Sequence, residues 1–188
     1  HKAMEVYETT RDPQQVDLVL DQALFRDMAK ITENARDPFL EEYLTALTDL
    51  TNIKMLVRLR KIKADVRTLD SVLLPGGNLT KEYLKEIFAR NEQGLIEAFS
   101  SSPYYQVVEE GLTEWESKGS PLVFEKLIDN YLISIARKGL YKPFGPETVT
   151  GYMAARENEL KILRIIMVGK INNLPADIIR ERLRDVYV

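Results

Sequence analysis

Three pairs of carboxylates lie close enough in sequence to raise acid–base chemistry: Glu41-Glu42, Glu109-Glu110, and Glu157 with Glu159. Two carboxylates work as general acid and base only when both reach one reacting group. Neighbouring residues on a helix point about 100° apart, so the first two pairs diverge and read as solvated faces. Nucleophilic triads need a His or an equivalent base, and the single histidine is His1. It opens the chain without a Met and reads as a tag remnant. The 188 residues include no Cys, which removes thiolate nucleophiles, thiolate metal sites and disulfides. The glycine-rich phrase PGGN at 75–78 lacks the Lys and Ser/Thr of a phosphate-binding loop. The residue types therefore predict no catalytic residue, no metal, no cofactor and no small-molecule substrate.

Two charge features carry more information. The stretch RLRKIKADVR at 58–67 holds Arg58, Arg60, Lys61, Lys63 and Arg67 against one Asp65. Bases are favoured at a helix C-terminus, which is one account of the run. The other makes Arg58, Arg60, Lys61 and Lys63 a docking face for an acidic partner. A nucleic-acid or membrane-surface patch fits less well, because the net charge is −3 and no general basic excess is present. Arg156 falls on an apolar helix side, between Met153 and Leu160. A charge there needs a partner. Glu157, Glu159 or a neighbouring helix would serve. Asp49, its counterpart in the internal repeat below, would serve if Asp49 and Arg156 faced a seam between repeats.

The elements that must position these groups read as helices. With 45% apolar and 29% charged residues the chain can bury a core. The longest fully apolar run, IIMV at 165–168, is far short of the roughly 18 residues that span a bilayer. The start, HKAMEVYETT, has no apolar signal-peptide core. Pro and Gly punctuate the chain at Pro13, Pro38, Pro75, Pro103, Gly119, Pro146 and Pro175. Between them apolar residues recur every three or four positions, and no window alternates like a strand. Ala46, Leu50, Ile53 and Val57 form one stripe, widened by Leu47, Leu56 and Leu59; Val149, Met153, Leu160, Leu163 and Met167 form another over 146–171. Both stripes are expected to face a core. The fold class is all-α.

The chain repeats itself. At an offset of 108, Tyr7 meets Trp115, Pro13 meets Pro121, Asp21 meets Asp129, Leu24 meets Leu132 and Lys30 meets Lys138. At 107, Ile53–Leu56 meets Leu160–Leu163. At 95, GNLTKEYLKEIF (77–88) meets NNLPADIIRERL (172–183), which implies a twelve-residue insertion in the first copy. In that alignment Asn173 and Thr80 open the last helix of each copy. Matches in a fixed order, adjusted only at turns, indicate two tandem pseudo-symmetric helical domains, expected over 1–99 and 100–188.

YMAARENELKILRIIMVGKINNLPADIIRERL, at 152–183, resembles the C-terminal signature of the C subunit of the V/A-type ATPases, which corresponds to the d subunit of the eukaryotic V-ATPase. The resembling features are the E-x-E-L-x-x-L-R run from Glu157 to Arg164, Gly169-Lys170, Leu174-Pro175 and Ile179-Arg180-Glu181. VYETTRDPQQVDLVLDQALF (6–25) and LTNIKMLVRLRKIK (50–63) resemble the family's middle region. The resemblance implies an all-helical funnel of three similar domains, of which two are present here and one repeat is absent. It implies a non-catalytic socket that couples the central-stalk subunits to the membrane proteolipid ring, peripheral at the cytoplasmic face, while other subunits hydrolyse or make ATP. It implies no nucleic-acid partner. The alternative is a helical scaffold with no motor role, and an enzyme of unknown class stands behind that.

Overall fold

The computed structural model describes residues 2–187, all-α with no strand among them; His1 lies outside the described residues. Contacts divide the chain into two compact units, His1–Leu95 and Ile96–Val188. The first holds α1 (Lys2–Thr10), α2 (Pro13–Ala35), α3 (Pro38–Lys61), α4 (Val66–Val72) and α5 (Lys81–Phe88). Helix α6 (Glu92–Ala98) carries the chain onward. The second unit holds α7 (Tyr105–Lys118), α8 (Leu122–Ala136), a 3-10 turn (Arg137–Tyr141), α9 (Pro146–Ile171) and α10 (Ala176–Arg182).

Capping chemistry sets the helix starts in the first unit. Asp12 and Asp37 each stand before a Pro, and their side chains accept from Gln14 N and Leu40 N. Asp65 does the same for Arg67 N, and Thr80 for Tyr83 N. Each cap satisfies one of the free N–H groups at a helix start, and Pro loses nothing there because its N–H would have no partner.

The α3 stripe is the core of the first unit. Ala46, Leu50, Ile53, Leu56 and Val57 are buried, as are Leu69 in the middle of α4, Leu73 just after it, and Leu84 and Ile87 on α5. Two polar residues on α3 are buried with them. Asp49 accepts from Leu79 N at 3.0 Å. Asn52 donates to Leu74 O at 2.9 Å and accepts from Leu74 N at 2.8 Å. These side chains supply the partners that the loop backbone after α4 would otherwise lose on burial. In the second unit Val108 and Leu112 of α7 are buried, as are Phe124, Ile128 and Ile133 of α8. Gly111 admits the Phe124 ring: a Cβ there would come within 2.2 Å of it.

The α9 stripe is not core. Val149, Met153, Leu160, Leu163 and Met167 are all exposed, and the buried line of α9 is Gly151, Ala154, Asn158 and Gly169. Small residues let neighbours approach the helix axis. A Cβ at Gly151 would sit 2.4 Å from the Tyr187 hydroxyl, and one at Gly169 2.7 Å from Ile179. Apolar periodicity located this helix and named the wrong face, because Gly and Ala, not Leu and Met, are turned inward.

The structure also moves the repeat. Lys63 and Asn173 both adopt left-handed φ, 56° and 53°. Ala64 N bonds Leu59 O and Leu174 N bonds Gly169 O, each at 2.9 Å. A seven-residue helix follows in each case, α4 or α10, with Leu69 or Ile179 buried. The chain then leaves extended at Leu73 (φ −63°, ψ 133°) or Leu183 (φ −66°, ψ 145°). The counterpart of α10 is therefore α4, not α5, and the offset of 95 with its twelve-residue insertion does not hold. Asn173 closes α9 and does not cap α10, whose N-cap is Pro175 without a side-chain bond. Asn tolerates the left-handed region as readily as it caps, so its type alone did not separate the two roles.

Gly77 marks the closest approach in the first unit. A Cβ there would fall 2.1 Å from Asp49 Oδ1, and Asp49 is fully buried and has no room to swing away. Gly77→Ala is expected to lower stability by about 2–3 kcal/mol in denaturant unfolding. In an Asp49→Ala background the added cost should fall below about 1 kcal/mol.

Candidate interaction surface

The basic run at the end of α3 is divided by its surroundings. The Arg60 guanidinium donates to Ile87 O (3.3 Å), Phe88 O (2.9 Å) and Arg90 O, closing the carbonyl end of α5. A cation there also meets the negative end of that helix. Lys61 pairs with Glu92 at 3.3 Å. Arg58 and Lys63 are exposed. Arg60 and Lys61 of the expected docking face are thus engaged in holding α5 and the start of α6.

Asp49 and Arg156 lie in different units, and each has a partner in its own. Asp49 accepts from Leu79 N. Arg156 is exposed and pairs with Glu159, one turn along α9. Of the carboxylate pairs, Glu41, Glu42, Glu109, Glu110, Glu157 and Glu159 are all exposed. Glu109 accepts from the Tyr105 hydroxyl at 2.6 Å, which pushes that phenol's pKa up. Among the described residues no group of three or more His, Cys, Asp or Glu is placed to hold a metal ion. No helix among them is long and apolar enough to cross a membrane.

A charged cluster that sequence reasoning passed over organises the second unit. Asp129, on α8, accepts from Lys161 Nζ on α9 and from Arg184 Nε on the C-terminal segment, each at 2.8 Å. Arg184 is nearly buried, with 8% of its side chain exposed against 51% for Lys161. The segment after α10 is then fixed residue by residue. Asp185 N donates to Asn130 Oδ1 at 2.9 Å, Asn158 Nδ2 donates to Asp185 O at 2.7 Å, and Arg137 donates to Val186 O. Tyr187 lies against Gly139 and Gly151, and burial pushes its phenol pKa up. The signal in the sequence was the Asp21–Asp129 match; Asp21 is exposed, and Asp129 is the one drawn in by Arg184.

Beside this strap runs a groove of about 420 Å³, lined chiefly by Tyr152, Ala155, Ile162, Leu163, Val186 and Tyr187. It opens onto the exposed apolar side of α9, where Tyr152, Met153, Leu160, Leu163, Met167 and Ile171 stand in solvent. Exposed apolar area of that kind is characteristic of interaction surfaces.

Replacing Arg184 by Ala leaves Asp129 largely desolvated with only an exposed lysine to offset it. The change is expected to lower the stability of the second unit by about 2–3 kcal/mol in chemical unfolding. Lys161→Ala removes a half-exposed partner and should cost less than about 1 kcal/mol.

The chain matches the ATP synthase (C/AC39) subunit family over residues 1–182. It is 29% identical to the C subunit of the A-type ATP synthase of Methanocaldococcus jannaschii over 94% of this chain and 46% of that protein. It is 27% identical to the C subunit of the V-type sodium ATPase of Enterococcus hirae over 93% of this chain and 52% of that protein. The C subunit of the A-type ATP synthase of Methanosphaera stadtmanae is 30% identical over 87% of this chain and 43% of its own length. The chain spans about half the length of these curated relatives. No solved structure matches it significantly.

Proposed function

The chain belongs to the ATP synthase (C/AC39) subunit family, and from that membership we propose that it forms part of the central-rotor socket of a V/A-type rotary ATPase. In this reading the protein is a non-catalytic component at the cytoplasmic face of the membrane. It couples the central stalk to the proteolipid ring during ATP-driven ion transport or ATP synthesis. Its two helical units are two walls of a three-domain funnel.

The observation that carries the proposal is the family match across residues 1–182, nearly the whole chain. The physical character of the units supports it. A coupler must transmit force without bending, and α3 and α9, of 24 and 26 residues, are rods about 36 and 39 Å long. Each rod is closed by a hydrogen-bonded left-handed turn and followed by a short helix packed back toward the unit, which resists unravelling from that end. At the end of α3, Arg58 and Lys63 present positive charge for an acidic loop of the stalk or ring.

Co-purification of the full-length natural protein with the central-stalk subunits and the proteolipid ring tests the proposal. It should bind both. Arg58→Glu with Lys63→Glu should weaken one of those contacts by at least about tenfold, and more at low salt than at high salt. A full-length protein that bound neither stalk nor ring, or an isolated chain that steadily hydrolysed nucleotide, would contradict it.

A further inference from the structure

The groove of the second unit has one buried polar atom left over. Its first wall is α9, where Tyr152, Ala155, Ile162 and Leu163 recur at helical spacing along one side. Its second wall is Val186 and Tyr187 of the C-terminal strap. The space of about 420 Å³ lies within the range of small-molecule sites. An engineered apolar cavity of about 150 Å³ holds one benzene, so there is room here for two fused rings. Two of the wall side chains, Tyr152 and Tyr187, are aromatic, which favours a flat ring between them.

Asn158 also lines the groove and is only 4% exposed. Its Nδ2 donates to Asp185 O at 2.7 Å, which fixes the orientation of the amide. Its Oδ1 is shielded from solvent and accepts from none of the described residues. Buried acceptors are almost always paired, so an unpaired one beside a cavity is a recognition group for an incoming donor. The two charged residues of the groove, Arg156 and Glu159, are exposed and pair with each other. An ionic ligand therefore finds no free counter-charge. We propose that the groove binds a small, uncharged, fused aromatic molecule of the indole kind, whose single N–H or O–H donor bonds Asn158 Oδ1. The ring packs on the apolar walls, and those walls adjust around it so that the donor reaches the oxygen. The molecule is a ligand and not a substrate, since the one carboxylate of the groove is held by Arg156. This site does not depend on the rotor reading.

Titration of the 188-residue chain with indole, followed through its backbone amide NMR signals, tests the proposal. Saturable shifts are expected at Ala155, Ile162 and Val186, with a Kd of about 1 mM or tighter. 1-Methylindole keeps the ring but lacks the N–H, and should bind at least about tenfold more weakly. This comparison uses the parent chain and needs no variant to fold. Ala155→Phe fills the groove and should abolish the shifts at Ile162 and Val186, with circular dichroism unchanged from the parent. No saturable shift up to the solubility limit of indole would overturn the proposal. So would equal affinity for the two probes, or shifts that persisted unchanged in the filled groove.

Discussion

Everything else in each unit hangs on one constraint: a buried amide on the long helix must be satisfied by the chain that returns after the short helix. In the first unit that amide is Asn52, which bonds both the N–H and the carbonyl of Leu74. In the second it is Asn158, which donates to Asp185 O. Burying an amide without partners costs on the order of 1–3 kcal/mol, so the returning segment has one favoured register. That register places Leu73 and Leu74 in the first core and holds Tyr187 against Gly139 and Gly151 in the second.

The two units meet this constraint with different chemistry. The first adds Asp49, whose carboxylate takes the Leu79 N–H, and needs Gly77 to let the loop come that close. The second leaves Asn158 Oδ1 without a partner and spreads the task over Asp129, Asn130, Arg137 and Arg184. The left-handed residue after the long helix is Lys63 in one unit and Asn173 in the other.

How much of this was legible in the sequence depended on which residue types faced inward. Leu50, Ile53, Leu56 and Val57 are large, recur at helical spacing and are buried, so the first core could be read directly. On α9 the packed line is Gly151, Ala154, Asn158 and Gly169, which carries almost no hydropathy signal, and the louder stripe is the exposed one. The helices and their proline-marked starts were visible because they rest on local backbone rules. The Asp129–Arg184 pair joins residues 55 positions apart and had no local signature. Arg60 shows the same limit: the run of bases was plain, but its use in closing α5, not in facing a partner, needed the fold. The family reading rested on order and length across the whole chain.

The direct test of the buried-amide constraint is native-state hydrogen exchange at Leu74 and Leu79. Both sit in irregular chain, and both N–H groups are bound by buried side chains of α3. If Asn52 and Asp49 fix the returning segment, these two amides should exchange only through unfolding of the whole first unit, with the same protection as Ile53 and Leu56. Exchange at loop-like rates while the α3 amides stay protected would contradict the account.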